Sequence, residues 1–378
     1  MKIGIDRIDE HLPLFAGKRI GLITNPTGID GRLRSTIDVL KEKVNLVALF
    51  APEHGIRGDL QAGVHLESHV DERSQIIVYS LYTQEKKPTK EMLDAIDALC
   101  IDIQDAGSRF YTYIYTMAYA MIACAEHDKE FIVFDRPNPI NGVDVEGNIL
   151  DLKYRSFIGY YPIVQRHGLT IGELARLFNE EYNIGCRLTV VPMIGWKREM
   201  FYPETGLLWI APSPNLPTLE TALVYNATCI FEGTNVSEGR GTTLPFQIVG
   251  APYIDPYGLC DAMNDFGFPG VFFRPIFFKP TFSKHADKQC SGIQIHVFDA
   301  KLFRPVKIGW TLFDVIRKMY PEDFKINPPW REGSPNMLQY NTGCDYIQDG
   351  AYDLDELYAI IDRDSDIFSK TRERYLIY

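Results

Sequence analysis

Charged and polar side chains gather in five short stretches of this sequence, among glycines and prolines. Residues 51–59 read APEHGIRGD, in which Glu53 and His54 stand between Pro52 and Gly55. Proline restricts the backbone and glycine permits a tight turn, so this loop presents its carboxylate in a defined place. A positioned carboxyl group is what general acid catalysis requires, and Glu53 is therefore the first catalytic candidate.

The other stretches supply acids, amides, hydroxyls and guanidinium groups. They read TNPTGIDG (residues 24–31), DIQDAGSRFYTY (102–113), DRPNPING (135–142) and EGTNVSEGRGTTLPF (232–246). An arginine beside tyrosines suits a carboxylate or a polyol, although an Asp–Arg pair that stiffens its loop explains residues 105–109 equally well. The candidates are Glu53, Glu232 and Asp105 for catalysis, and His54, Arg57, Arg109, Tyr111, Tyr113, Asp135, Asn138, Asn215, Asn235 and Arg240 for substrate binding.

Strand and helix signals alternate along the first part of the chain and must position these groups. Near-continuous apolar runs predict strands at residues 18–25, 44–50, 75–81, 99–105, 130–135 and 187–193, and helical spacing predicts helices at 34–43, 89–99, 112–127, 170–183 and 218–228. Such runs, alternating with helices, are typical of a doubly wound α/β domain with a mostly parallel sheet. Ligands bind at the carboxyl ends of such strands, where we expect all five polar stretches to lie.

The segment GAPYIDPYG (residues 250–258) predicts a domain boundary, because it is rich in proline and glycine. Beyond it, strand signals at 270–282 and 291–299 precede helix signals at 311–320 and 353–364. The prediction is an α/β domain over residues 1–250 and a smaller α+β domain over residues 251–378.

Composition excludes several classes of partner. The chain has 50 acidic and 39 basic residues, a net charge of −11, which disfavours nucleic acid and anionic membrane surfaces. No run of 18 apolar residues predicts a membrane span. Its seven scattered cysteines include no C-x-x-C pair, so buried thiols are expected. The start lacks an apolar leader, so we expect a cytoplasmic protein, or a periplasmic or extracellular one whose signal has been removed.

Motifs for other chemistries are absent. The turn after the first strand reads NPTGIDGR instead of G-x-G-x-x-G, and no phosphate-binding G-x-x-x-x-G-K-[ST] loop or G-x-S-x-G elbow occurs. His54, His65 and His69 lie near acids, but without helical periodicity or an H-E-x-x-H pattern. We therefore expect neither a nucleotide cofactor nor a catalytic metal.

Six motifs in order, LITNPTG, APEHGIRG, DIQDAGSRFYTY, DRPNP, APSPNLP and FEGTNVSEGRGT, resemble those of the exo-β-N-acetylmuramidases, glycoside hydrolase family 171. The resemblance spans nearly the whole chain. It implies a Rossmann-like domain with a smaller auxiliary domain, a site in the cleft between them, and no cofactor. It also implies release of N-acetylmuramic acid from the non-reducing ends of peptidoglycan fragments, with peptidoglycan-derived amino sugars as partners, and it places the family's conserved acid on Glu53.

Glycoside hydrolysis needs an acid beside the glycosidic oxygen and a second group at the anomeric carbon. Glu53 is the predicted acid, while Glu232, Asp105, Asp135 and the substrate's own 2-acetamido group remain open for the second role. Arg109 and Arg240 are the predicted partners of the lactyl carboxylate, because a guanidinium binds a carboxylate with two hydrogen bonds. The alternative function is a non-catalytic glycan-binding α/β protein.

Overall fold

A seven-stranded sheet forms the centre of the larger domain. The computed structural model describes residues 1–53, 55–57, 68–81 and 86–378. The strands are β1 (Ile20–Thr24), β2 (Leu46–Ala51), β3 (His69–Val70), β4 (Ile77–Ser80), β5 (Ala98–Asp102), β6 (Glu130–Phe134) and β7 (Arg187–Val191). Their order is β3-β4-β2-β1-β5-β6-β7, and the described neighbours are parallel except for β3 and β4. The predicted Rossmann-like, doubly wound α/β class is confirmed.

Helices cover this sheet, as the sequence predicts. They are α1 (Thr36–Lys43), α2 (Lys90–Asp94), α3 (Tyr113–Glu126) and α4 (Ile171–Glu181), with 3-10 helices at Gly4–Phe15, Leu152–Tyr154 and Tyr202–Thr205. The next helix, α5 (Leu219–Thr228), packs instead against the helix Pro305–Met319 of the smaller domain. Helix α2 is shorter than predicted because β5 already begins at Ala98, although Thr89 caps it by accepting a hydrogen bond from the Met92 N–H. Among the residues described, no helix has the length and apolar character needed to cross a membrane.

The smaller domain is built on a three-stranded antiparallel sheet with its last strand in the middle. Its elements are β8 (Ile248–Ala251), β9 (Val271–Phe278), β10 (Cys290–Val297), α6 (Pro256–Asn264), α7 (Pro305–Met319), α8 (Met337–Thr342) and α9 (Leu354–Arg372), with 3-10 helices at Cys229–Gly233 and Glu373–Tyr375. The second, smaller α+β domain is thereby confirmed.

Residues 250–258, where the sequence predicts the domain boundary, hold the end of β8 and the start of α6, because Asp255 caps α6 and Pro256 occupies its first turn. The expectation that all five polar stretches follow strands of the parallel sheet is wrong for the fifth. The apolar residues 229–231 continue α5 as a 3-10 helix, Cys229–Gly233. The fifth polar stretch therefore follows a helix and not a strand of the parallel sheet.

A buried ion pair fills the crevice at which this sheet changes direction. The chain places β2 and β4 on one side of β1 and β5 to β7 on the other, so the switch point lies between β1 and β5. There Arg136 Nε donates to Asp102 Oδ1 at 2.5 Å, and both side chains are buried. Open α/β sheets commonly bind ligands at this point. In this protein the buried pair occupies it.

The guanidinium of Arg109 joins the two domains and is fully buried. Its Nη1 donates to the carbonyls of Asn148 (3.0 Å) and Ile163 (3.1 Å), and its Nη2 donates to those of Asn341 (3.0 Å) and Thr342 (2.6 Å). Burial lowers its pKa to about 10. The structure thus gives Arg109 a structural role in place of the predicted contact with a substrate carboxylate.

Replacing this buried donor should destabilise the protein. Arg109→Met removes a donor from four buried carbonyls. Ile163 still accepts from the Leu150 N–H and Thr342 from Gln165 Nε2, whereas the carbonyls of Asn148 and Asn341 lose the donor that the structure shows, and each unsatisfied buried polar group costs about 1–3 kcal/mol. We expect a loss of about 3 kcal/mol or more in the free energy of unfolding, measured by urea denaturation. Arg331→Met, at an exposed arginine, is the control and should change stability little. Equal stabilities of the two variants would contradict the structural role of Arg109.

Glu146 makes a second buried link between the domains. Its Oε1 accepts a hydrogen bond from the Lys307 N–H at 2.9 Å, while no described residue bonds to its buried Oε2. Burial raises the pKa of Glu146 to about 7, against the lowering effect of the Lys307 N–H and of Arg166. A neutral carboxyl group fits this site, because burial disfavours the charged form.

This raised pKa predicts a pH-dependent stability. As pH rises from the ordinary glutamate pKa of 4.5 to about 7, the folded state keeps a proton that the unfolded state has lost. Rising pH therefore favours unfolding by about 3 kcal/mol across this window. Glu146→Gln should remove that contribution, so the variant should gain stability relative to the wild type between pH 5 and pH 8. Parallel denaturation profiles of the two proteins would refute the assignment.

Candidate active site

A cavity of about 300 Å³ lies where the carboxyl end of β2 meets the smaller domain. Small-molecule sites range from about 300 to 1,000 Å³, so this cavity suits a ligand of roughly one sugar ring. Both domains contribute to its wall. The lining residues are Glu53, Phe110, Tyr111, Thr112, Ile158, Ser213, Asn215, Leu216, Tyr225, Cys229, Glu232, Arg240, Phe246, Trp330, Met337 and Asn341.

Glu53 reaches this cavity from the turn that follows β2. The Gly55 N–H donates to the Pro52 carbonyl at 3.0 Å, and Gly55 has a φ of 76°, which glycine adopts without strain. The half-buried Glu53 carboxylate accepts a hydrogen bond from the Thr112 hydroxyl at 2.8 Å. This turn therefore presents the acid at the cavity wall, with a neutral hydroxyl holding one oxygen.

Two tyrosines stand beside Glu53 with different roles. Their rings meet edge to face at 4.9 Å, and the Tyr113 hydroxyl donates to the Pro212 carbonyl at 2.6 Å. That bond holds the segment that carries Asn215, which lines the cavity as predicted. Tyr111 lines the cavity itself, and no described residue completes a hydrogen bond to its buried hydroxyl. Burial raises the pKa of Tyr111, so its hydroxyl keeps its proton.

Four charged side chains form a network of which Glu232 and Arg240 line the cavity. Arg240 Nη2 donates to Glu232 Oε1 at 2.5 Å, and Arg240 Nε lies 3.3 Å from Glu238 Oε1. Lys284 Nζ lies 2.8 Å from Glu238 Oε2, so the two cations and two carboxylates balance. Burial alone would lower the pKa of Arg240, but the two carboxylates raise it. The Arg240 guanidinium also lies 5.0 Å from the centre of the Phe246 ring.

The predicted acids Asp105 and Asp135 are buried outside the cavity lining. Asp105 Oδ2 accepts from the Gly107 N–H at 2.7 Å and lies 3.4 Å from His167 Nε2. Asp135 Oδ2 accepts from the Tyr378 hydroxyl at 2.8 Å, and burial raises its pKa to about 7. Both carboxyl groups hold the loops that follow their strands. The structure does not bring them together with Glu53.

The predicted amides Asn138 and Asn235 also support the backbone, outside the cavity lining. Asn138 Nδ2 donates to the Leu169 carbonyl at 3.0 Å. Asn235 Oδ1 accepts from the Lys325 N–H at 2.9 Å. An asparagine near a strand end satisfies loop backbone groups as readily as it binds a ligand, so sequence could not separate these two roles.

Arg57 forms an ion pair with Asp71 at 2.5 Å and is half exposed, away from the cavity lining. His54, predicted to bind substrate, lies outside the described residues, as do His65 and Glu67. Within the described ranges, no group of three histidine, cysteine or acidic side chains is arranged to hold a metal ion.

Several cavity residues are missing from the sequence-based candidates. Thr112 and Ser213 lie within the motifs RFYTY and APSPNLP. These motifs indicated which stretches belong to the site, but they did not identify these two residues as part of the cavity lining. Trp330 lies in NPPWREG, residues 327–333, where only two preceding prolines mark it. Trp330 lines the cavity because of how the two domains pack, and no local sequence pattern predicts that packing.

Family models match almost the entire chain. The model described as Exo-beta-N-acetylmuramidase NamZ, N-terminal, covers residues 20–220, and the corresponding C-terminal model covers residues 223–378. The two meet at α5, ahead of the boundary that the sequence predicted at residue 250. Both models therefore include walls of the cavity.

Relatives of this chain agree with that match. Peptidoglycan beta-N-acetylmuramidase NamZ of Bacillus subtilis (strain 168) is 48% identical over 381 residues, which cover 100% of this chain and 91% of the relative. Crystal structures of two DUF1343 family proteins from Bacteroides fragilis NCTC 9343 superpose with TM-scores of 0.90 and 0.78 at 39% and 32% identity, covering 100% of this chain and 98% of each. The resemblance read from the six motifs is confirmed: the chain belongs to the exo-β-N-acetylmuramidase family of glycoside hydrolases.

Proposed function

We propose that this protein releases N-acetylmuramic acid from the non-reducing ends of peptidoglycan fragments, with Glu53 as general acid. The observation that carries the proposal is the Glu53 carboxyl group in the wall of a cavity of about 300 Å³. A cavity of this size suits an enzyme that removes one terminal sugar at a time. The Bacillus subtilis relative, named as a peptidoglycan muramidase, supports this substrate class.

In the proposed reaction, Glu53 transfers its proton to the glycosidic oxygen as the bond from this oxygen to the anomeric carbon breaks. Water then supplies a hydroxyl to the anomeric carbon, and its other proton restores Glu53. The Thr112 hydroxyl, 2.8 Å from Glu53 Oε2, holds one carboxyl oxygen. The other oxygen can then carry the proton toward the leaving group.

The second catalytic group must come from the cavity or from the substrate. Asp105 and Asp135 lie outside the lining, and Glu232 is tied to Arg240 at 2.5 Å. We therefore assign attack on the anomeric carbon to the oxygen of the substrate's 2-acetamido group, as in substrate-assisted glycosidases. Glu232 accepts the acetamido N–H in this scheme.

Arg240 is the cation we assign to the lactyl carboxylate of muramic acid. Its hydrogen bonds to Glu232 use Nε and Nη2, and no hydrogen bond from a described residue uses Nη1. A guanidinium presents five donors, so one face can hold Glu232 while another binds a carboxylate. Phe246 beneath the guanidinium keeps its plane in place.

Glu53→Gln tests the acid. The amide keeps the acceptor for Thr112 but cannot supply a proton to the leaving oxygen. We expect a loss of about 10²–10⁴-fold in kcat for release of N-acetylmuramic acid from a muramic-acid-terminated disaccharide, with an unchanged thermal midpoint. Near-normal turnover would remove Glu53 from the chemistry. A wild-type protein that binds the disaccharide but releases no sugar would favour the non-catalytic glycan-binding function instead.

Arg240→Gln tests the lactyl contact. We expect the inhibition constant of N-acetylmuramic acid to rise about tenfold, because a charged hydrogen-bonded pair contributes about 1.5–3 kcal/mol. The constant for N-acetylglucosamine, which lacks the lactyl group, should change less than about twofold. A thermal melt controls for damage to the Glu232 network. Equal losses for both sugars would contradict the assignment.

A further inference from the structure

A second, more open groove of about 430 Å³ adjoins the cavity and continues it toward the surface. The two share Glu232, Arg240 and Met337, and the groove adds Phe282 and Lys284. The cavity has room for one sugar ring, so a longer fragment must extend beyond it. The groove gives such an extension a path past the Glu232–Arg240 pair.

The cavity and the groove each contain one exposed aromatic ring. Trp330 lines the cavity yet keeps 88% of its surface exposed, and Phe282 in the groove is 44% exposed. The contrast with Trp196 and Trp310, which are 4% and 1% exposed, shows that Trp330 does not serve the core. An aromatic face beside a sugar-sized cavity is a stacking surface for the apolar face of a second ring.

The loop that carries Trp330 is anchored on the catalytic wall. Asn327 donates from its N–H to the Gly233 carbonyl at 2.9 Å and from Nδ2 to the Thr234 carbonyl at 3.0 Å. Two prolines follow, and the loop ends at Asn336, which caps α8. Proline restricts the backbone, so the position of Trp330 relative to Glu232 is set before any ligand binds.

The charges of the groove favour a neutral ligand over an acidic one. Lys284 donates to the carbonyls of Phe231 at 2.6 Å and Val236 at 3.0 Å, and to Glu238 at 2.8 Å. An ammonium group has three donors, so none remains for the carboxylates of a stem peptide. Arg240 on the same wall pairs with Glu232 and Glu238 through Nε and Nη2, and its Nη1 is the group assigned to the lactyl carboxylate, so it too leaves no donor for a stem peptide.

We propose that Trp330 and the adjoining groove bind the neutral leaving sugar, an N-acetylglucosamine unit, that follows muramic acid in the fragment. This inference rests on the proposed function and adds to it the specificity for a disaccharide or longer substrate. Trp330 acts as a binding residue for the leaving group, while Glu53 performs the proton transfer.

Binding to the Glu53→Gln variant tests the subsite without turnover. Calorimetry should show that N-acetylmuramyl-β-1,4-N-acetylglucosamine binds about tenfold tighter than methyl β-N-acetylmuraminide, a factor that corresponds to about 1.4 kcal/mol. Adding Trp330→Ala should abolish this difference, by weakening the binding of the disaccharide about tenfold more than that of the methyl glycoside. Phe298→Ala, at an aromatic residue that is 74% exposed and outside both linings, should leave the difference intact.

Tryptophan fluorescence supplies an independent readout. The disaccharide should shift the emission of the Glu53→Gln variant to shorter wavelength and protect it from quenching by acrylamide, whereas the methyl glycoside should not. Adding Trp330→Phe should remove the shift.

Equal affinities for the two ligands, or a difference that survives Trp330→Ala, would overturn the subsite alone. Tighter binding of a methyl muraminide bearing a two-residue stem peptide, lost on Trp330→Ala, would assign the groove to peptide and likewise overturn it. Failure of all muramic ligands to bind would overturn the proposed function, and the subsite with it.

Discussion

The contact between the two domains is the constraint on which the active site depends, and the buried Arg109 guanidinium lies at its centre. One side chain donates to carbonyls of residues 148 and 163 and to carbonyls of residues 341 and 342, in both parts of the chain. The cavity wall combines Glu53 from one side with Trp330 and Met337 from the other. A small change at this junction would therefore alter the distance between acid and substrate.

The sheet follows the doubly wound pattern but does not use its usual binding crevice. The Asp102–Arg136 pair occupies the switch point between β1 and β5, where a nucleotide would otherwise have room to bind. The cavity lies instead beyond the end of β2, where the smaller domain supplies a second wall. The sugar-sized cavity of this scaffold is thus built away from the switch point, by residues of both domains.

Ion pairs are concentrated on the side of the cavity that Glu232 and Arg240 line. Glu232, Arg240, Glu238 and Lys284 balance one another there. Glu53, in contrast, accepts its hydrogen bond from the neutral Thr112 hydroxyl. Ion-paired carboxylates serve well as fixed charges and poorly as proton donors, which supports the proposal that Glu53 transfers the proton. The exposed ring of Trp330 in the cavity lining likewise supports the proposed contact with the leaving sugar.

The sequence by itself determined the fold class, the family and the presentation of Glu53. Apolar runs of strand length and the Pro-Glu-His-Gly turn are local patterns, and a local pattern can be recognised in the sequence without knowledge of distant contacts. Only the tertiary structure separated Arg240 and Tyr111, which line the cavity, from Arg109, Asp105, Asp135, Asn138 and Asn235, which satisfy buried loops. Strand-end polar residues have the same composition in both roles, and burial and partner geometry decide between them. The sequence could not place Trp330 at the cavity either, because its position depends on contacts between residues about a hundred positions apart.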